Sequence, residues 1–491
     1  MNRSALLASI QCLQLRKESL LHELESLDLD LKLQRAQFSR LANEDAPVYR
    51  LPNELLTSIF ILCGKTSSRI WPSGLTRTSP ASLSFQVVLS HVSHGWRIIA
   101  LGTPLLWNTI DFCFKHRNGR MVSQLEAHLH RSASCFLDIA LDFQHFDDLA
   151  VYCRILANHS RRWRRLSIMT TFEETYEIRQ MLHRVQVPIL EHLSLILGSP
   201  QSDSQSPRQQ FTSVNPSILA SCPPCLSFVR LAGQALGNLH PPTSSVTTLH
   251  LDGWTRHYMT HDQFKVVLGG APLLINLSLN QLCLHHPRDP FAFTEPTTLP
   301  SLRALRIRGP CSPVSQLMSL LDMPQLEEIT LEGVETFDSP VMRTVRSLLL
   351  NDCAFNEQEI SKLLDSLPSL SDLSIDESLP DIFYMLLPGT NTIPVPTDGD
   401  TKQVLPWPEL QTIAIRDLQS VDVPFFCNMV FARQAGGSSF RKVLLDRRSR
   451  TVLRAKQRLE QLQEKVIVEN ADIPPSWPMG LQYEDAYDLL E

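Results

Sequence analysis

Residues 299–309 read LPSLRALRIRG, and the reading of this stretch decides the fold. Leu302, Leu305 and Ile307 stand in the order Leu-x-x-Leu-x-Leu, a proline precedes them and a glycine ends the run, which marks a short strand with a turn at either end. Two apolar side chains on one side of so short a strand cannot be buried by that strand alone. The same pattern, with aliphatic or aromatic substitutes, recurs at Trp163/Leu166/Ile168, Leu190/Leu193/Leu195, Leu226/Val229/Leu231, Val246/Leu249/Leu251 and Leu274/Leu277/Leu279. It continues beyond Leu302 at Leu326/Ile329/Leu331, Val345/Leu348/Leu350, Leu370/Leu373/Ile375, Leu410/Ile413/Ile415 and Phe440/Val443/Leu445, eleven copies in all. From Leu226 to Leu370 the first positions lie 20, 28, 28, 24, 19 and 25 residues apart, a period at which units stack into a solenoid. Wider gaps of 36 residues after Leu190 and 40 after Leu370 carry the polar stretches SPQSDSQSPRQQ and PGTNTIPVPTDGD, which read as insertions.

A second informative stretch lies upstream. Residues 51–60 read LPNELLTSIF: Pro52 suits a first helical position, Glu54 puts negative charge in the first turn, and Leu55, Leu56, Ile59 and Phe60 share a helical face. Further on, Val88, Val92, Trp96 and Ile99 are spaced four, four and three apart, which predicts a second amphipathic helix, ended by Gly102, with Pro104 opening a last turn toward Trp107.

These residues resemble an F-box, the helical module that docks on the Skp adaptor of cullin-based ubiquitin ligases. The opening motif is matched by Leu51, Pro52, Glu54, Leu55, Leu56, Ile59 and Phe60, the middle one by Val92, Trp96 and Arg97, and the closing one by Leu101, Pro104, Leu106 and Trp107. The chain departs from the family pattern at Ser93, where cysteine is frequent, and by a Ser/Thr-rich insertion over residues 64–84. The repeats resemble the leucine-rich repeats that follow many fungal-type F-boxes, and VRSLLLNDCAF at residues 345–355 completes the longer signature with Cys353 and Phe355.

The resemblance implies an α/β solenoid, a leucine-rich repeat with parallel strands on its concave face, preceded by a small all-α F-box, and heptad spacing places an N-terminal coiled-coil helix before both. The expected boundaries are residues 1–46 for the coiled coil, 47–112 for the F-box, 131–446 for the repeats, and 447–491 for a basic helix and acidic tail. It also implies a substrate-recognition subunit, not an enzyme: the Skp-type adaptor and its cullin ligase would be met by Leu51, Pro52, Glu54, Leu55, Ile59, Phe60, Val92, Trp96, Leu101, Pro104 and Trp107, shared between the module's own packing and the interface. A protein substrate would meet the polar residues that alternate with the inward leucines, namely His192, His250, Asp252, Asn276, Arg306, Arg308, Glu328, Glu332, Asp372 and Asp376. Arg308 and Glu332 hold equivalent positions on successive strands and can neutralise each other. A non-ligase interaction scaffold built on the coiled coil and repeats is the alternative.

The coiled coil is read from positions 6, 10, 13, 17, 20, 24, 27, 31, 34, 38 and 41, which are apolar except for Lys17 and Gln34. Steps of four and three sustained this long predict a helix that either pairs with a second copy over residues 6–41 or folds back on its own chain.

Composition narrows the remaining classes. The 491 residues carry a net charge of -6, which gives no global attraction to nucleic acid or anionic membranes. No membrane span or secretory signal is read, and scattered cysteines, 11 in number, suit reduced thiols in the cytoplasm or nucleus. No cofactor, metal site or catalytic residue is expected. Gly64-Lys65-Thr66 resembles the end of a phosphate-binding loop but lacks the earlier glycine, and Cys222-Pro-Pro-Cys225 has no second cysteine pair at zinc-site spacing. The arginines at 161, 162, 164 and 165 read as a solvated edge, and the basic run from Arg441 to Arg458 reads as a helix capping the solenoid.

Overall fold

The computed structural model describes residues 3–44, 46–67, 85–113, 120–143, 149–170, 175–198, 218–219, 223–253, 258–285, 295–309, 314–376, 380–387, 405–436 and 440–470. Among these, one compact unit comprises the chain up to Asn108 together with His128–Cys135, and a second comprises Thr109–Ala127 and the chain from Phe136 onward.

The second unit is built on one sheet of 14 strands arranged in chain order, interrupted by helices. Every pairing within it is parallel, from Thr109–Cys113 beside Leu137–Phe143 to Lys442–Leu445 beside Ile467–Asn470. The strands between them are Trp163–Thr170, His192–Leu197, Phe228–Gly233, Thr248–Asp252, Asn276–Asn280, Ala304–Arg308, Glu328–Glu332, Ser347–Asn351, Asp372–Asp376 and Thr412–Arg416. All eleven copies of the leucine pattern therefore lie at strands of a single parallel sheet. Register explains the spacing: Leu277, Leu305, Ile329, Leu348, Leu373 and Ile413 stand directly beside one another, as do Leu279, Ile307, Leu331, Leu350, Ile375 and Ile415. Each of these side chains is at most 1% exposed, so each contributes on the order of 1.5–3 kcal/mol of burial free energy that a lone unit would forgo.

The turn after each strand also has a physical signature. Gly309 (φ 69°), Gly333 (φ 60°), Asp352 (φ 48°) and Asp417 (φ 53°) follow four of the strands in the left-handed region, which glycine adopts freely and aspartate tolerates. At Gly309 a Cβ would also come within 2.7 Å of Gln281 Cγ. Gly309→Val is expected to lower stability by roughly 1–3 kcal/mol, and Gly309→Asn by less, in urea unfolding followed by far-UV circular dichroism. Equal midpoints for the two variants would contradict this account of the turn.

The sheet extends beyond the eleven copies at both ends, with Thr109–Cys113 and Leu137–Phe143 before them and Ile467–Asn470 after them. The basic run is not one capping helix. Lys442–Leu445 is a strand, Asp446 caps the helix Arg447–Ala455 by accepting from the Ser449 N–H at 3.0 Å, and Leu459–Gln463 leads into the last strand. These residues form a further repeat unit rather than a closure. The insertions over residues 199–210 and 388–400, and the acidic tail, lie outside the described residues.

In the first unit, Arg3–Glu44 is a single α-helix of 42 residues, about 63 Å long at 1.5 Å per residue. Its seam is turned to solvent throughout, from Leu6 at 45% exposed to Phe38 at 73%. Within this unit the described helices after Pro47 leave that seam uncovered. The 3-10 turn Pro47–Arg50 then leads into the helices Asn53–Ser67, Phe85–Val92 and His94–Leu101 and the turn Pro104–Leu106.

Candidate functional site

The helix Asn53–Ser67 begins one residue after Pro52, with Glu54 in its first turn. Leu56 and Phe60, four residues apart, are each 3% exposed and join Leu89, Ala100, Leu106 and Trp107 in a small core. Trp107 is fully buried and donates its indole N–H to the Ala100 carbonyl at 2.8 Å. The His128 ring meets Trp107 edge-on at 5.0 Å and the Arg131 guanidinium sits 4.4 Å from its ring centroid. Trp96 and Leu101 are half-buried against this core, and the Phe60 and Trp96 ring centroids are 4.8 Å apart.

The expected continuous second helix is not formed. The chain breaks at Ser93, whose backbone is extended (φ −157°, ψ 167°) and whose hydroxyl accepts the Trp96 N–H at 3.1 Å. A serine here caps a new helix and redirects it, so the apolar residues spaced four, four and three apart do not form one buried stripe. Val88 and Val92 are 46% and 56% exposed, while Leu89 and Ser90 turn inward. The Tyr49 hydroxyl hydrogen-bonds Ser93 Oγ, and a Cβ on Gly95 would come within 2.8 Å of the Tyr49 ring, so the segment before the helices is fixed against this cap.

The residues singled out by resemblance thus divide into two sets. Phe60 and Trp107 are buried, and Trp96, Leu101 and Pro104 are half-buried. Leu51, Pro52, Glu54, Leu55, Ile59 and Val92 are exposed. Leu55 (52%) and Ile59 (43%) lie one turn apart on the outward face of their helix. Within the same unit Ile98 is 59% exposed and Leu105 is 53% exposed. Such an apolar surface gains free energy by being covered, at about 25 cal/mol per Å². Gly64, Lys65 and Thr66 belong to the last turns of the helix Asn53–Ser67, whereas a phosphate-binding loop lies between a strand and a helix.

The sheet presents a different kind of surface. On the face opposite the leucines, the strands from His192 to Asp252 are buried at every position. The expected partner-contacting residues His192 (9%), His250 (0%), Asp252 (3%) and Arg306 (5%) are therefore buried within the chain and cannot meet a partner as they stand. They belong to a polar core. Arg230 and Asp252 pair at 2.6 Å, Arg306 donates to Ser278 Oγ at 3.0 Å, and the Phe228 ring lies between His192, stacked at 4.3 Å, and His250, edge-on at 5.0 Å. Burial, with Arg165 and Arg230 nearby, holds His192 down to about 3; burial, with Arg306 and Arg230 nearby, holds His250 well below the usual imidazole range. Both rings are neutral at physiological pH. Arg230 was not among the residues expected from the sequence, yet its position beside Ser194 and His250 follows from period two.

From Glu328 onward the burial alternates, and the second face is open to solvent. Glu328 and Asp372 are exposed, and a stripe of half-buried small or apolar residues, Thr330, Leu349, Ser374, Ala414 and Leu444, runs between the outer rows. Arg308 pairs with Glu332, the neutralisation that their register anticipates, and Arg416 pairs with Asp376 at 2.6 Å. Asn276 is half-buried and donates to Thr248 Oγ1 at 3.0 Å. Partial desolvation, reinforced by Glu327, raises the Glu328 carboxyl. The Arg164 guanidinium forks onto Asp138 at 2.9 and 2.5 Å, so it belongs to an ion pair rather than a solvated edge.

Among the described residues no group of His, Cys, Asp or Glu is placed to hold a metal, no disulfide is formed, and no helix is long and apolar enough to cross a membrane. Cys222 lies outside the described residues. No known protein family matches the chain, and no curated protein is significantly similar to it.

Proposed function

We propose that the chain is the substrate-recognition subunit of a Skp-cullin-F-box ubiquitin ligase, with an F-box over residues 47–112 followed by leucine-rich repeats. The observation that carries this reading is the division of LPNELLTSIF: Leu56 and Phe60 serve the module's core, while Leu51, Pro52, Leu55 and Ile59 face outward, where an adaptor would cover them. The target protein would be held by the open part of the sheet, from Glu328 to Leu444 with Arg308 at its edge, through Glu328 and Asp372 and the ion-paired Arg308, Glu332 and Asp376. Ubiquitin transfer would take place on other subunits, in the cytoplasm or nucleus, and the chain needs no cofactor in this role.

The test is co-purification with a Skp-type adaptor. Leu55→Asp with Ile59→Asp is expected to weaken binding at least about a hundredfold, since two central apolar anchors at roughly 2 kcal/mol each exceed that factor. Both side chains are exposed, so the thermal unfolding midpoint should stay within about 2 °C of the parent. Undiminished co-purification of the double variant would overturn the assignment of this face. The exposed seam of Arg3–Glu44 favours a second reading, an interaction scaffold that uses the coiled coil and repeats without a ligase. That reading requires a chain that binds the adaptor yet does not join a cullin.

A further inference from the structure

We propose that the helix Arg3–Glu44 pairs with the same helix of a second copy in antiparallel orientation, in the register that sets position i against position 51 − i. The proposal rests on reading residues 6–41 as a homodimerising seam and goes further by fixing direction and alignment. The seam is an uninterrupted helix with its apolar residues in solvent: Ile10 is 50% exposed, Leu13 65%, Leu24 59%, Leu27 62% and Leu41 64%. A seam with a 3.5-residue repeat is buried by a second helix of the same period.

The two polar breaks decide the orientation. In a parallel pair each residue meets its own counterpart, so two Lys17 ammonium groups would share one layer that excludes water. In the antiparallel register Ile10 meets Leu41, Leu13 meets Phe38, Lys17 meets Gln34, Leu20 meets Leu31 and Leu24 meets Leu27. Lys17 then donates to the Gln34 side-chain carbonyl twice over, once at each end of the pair. Sliding the antiparallel pair by seven residues either way sets Lys17 against Leu27 or Leu41 and Gln34 against Ile10 or Leu24, which leaves all four polar groups facing apolar ones. Only one of these alignments pairs polar with polar.

The shallow hollow bordered by Leu13, Lys17, Leu20 and Leu24 would receive Phe38, Gln34, Leu31 and Leu27 of the second copy. Flanking charges weigh less, because solvent screens them: a parallel pair gains Asp30 beside Arg35 but sets Glu23 beside Asp28, and the antiparallel pair sets Glu23 beside Asp30. The functional consequence is geometric. The two Glu44 residues end about 55 Å apart along the axis, so the modules over residues 47–112 are carried at opposite ends rather than side by side.

The experiment uses the full chain with a photoreactive benzophenone amino acid at position 13, weighed by sedimentation equilibrium and then irradiated, digested with trypsin and read by mass spectrometry. The expected result is a mass about twice 55.6 kDa and a cross-link from position 13 to the peptide 36–40, which contains Phe38. A second probe at Ile10 should reach the peptide 41–50. A dimer whose position-13 probe instead captures the peptide holding position 13 is parallel, and overturns the proposal while leaving the homodimer intact. A mass of one chain at micromolar concentration overturns the homodimer reading itself, and the proposal with it.

Discussion

Arg433→Ala is expected to lower the unfolding free energy by roughly 3–5 kcal/mol, from the cavity it leaves and the buried carbonyls it deprives of donors. Arg433 lies in the helix Val423–Ala435 and is completely buried. Its guanidinium donates to the Leu386 carbonyl at 3.3 Å, the Pro406 carbonyl at 2.8 Å and the Trp407 carbonyl at 2.7 Å. One side chain therefore ties the segment after the helix Pro380–Met385, the approach to the strand Thr412–Arg416 and its own helix together. Burial lowers its pKa to about 10, which still leaves it charged at neutral pH, and the three carbonyls supply the negative ends of dipoles that the charge needs. Alanine leaves those carbonyls without donors and opens a cavity as well. Arg433→Lys keeps the charge but not the planar fork, so an intermediate loss is expected. Hydrogen exchange should report the loss first in residues 405–436, because units of a stacked sheet open locally. A loss under about 1 kcal/mol for the alanine variant would contradict this role.

The second large effect is a loss of stability in mild acid. His192 and His250 are held neutral in the folded chain, with His192 near 3 against an unfolded value of 6.5. At pH above 6.5 neither state is protonated and the groups contribute no pH dependence. As pH falls below 6.5 the unfolded state takes up protons that the folded state refuses, so stability is lost until the folded values are reached. His192 alone costs about 1.4 kcal/mol per pH unit in that window, roughly 2 kcal/mol by pH 5, and His250 adds a loss of the same sign. Urea titrations across this range should show the fall, and His192→Gln with His250→Gln should flatten it whatever the variant's stability at pH 7.5. An unchanged slope would mean that the pair is not what makes the sheet acid-sensitive.

The sheet was legible wherever a unit carries its full leucine pattern, because that pattern is the direct imprint of burial at two adjacent rows. It fails in particular places for physical reasons. Trp107, Ile110 and Phe112 have the same spacing as the repeats, but Trp107 belongs to the core of the helical module, so the motif is absorbed by that module and the strand Thr109–Cys113 is hidden. In Leu137–Phe143 the leading position shifts by one at an irregularity between Leu137 and Asp138, and in Ile467–Asn470 the residue beside Leu445 is the polar Asn470. Period two correctly assigns His250 and Arg306 to the face opposite the leucines, yet it carries no information on whether that face is covered. Their burial comes from tertiary packing. For the candidate docking face, the spacing of LPNELLTSIF locates one helix but groups Leu55 with Leu56; only the positions of Leu89, Ala100 and Trp107 decide which of the two turns inward. The break at Ser93 is a local competition that a hydroxyl wins over helical continuity.

The most direct measurement of the central claim is a calorimetric titration of the purified full chain with a purified Skp-type adaptor, run in parallel with the Leu55→Asp, Ile59→Asp variant. The account predicts saturable binding of one adaptor per chain, with a negative heat-capacity change from covering apolar surface, abolished in the variant. Absence of binding at tens of micromolar by a chain whose far-UV spectrum and hydrogen exchange report a folded sheet would contradict it.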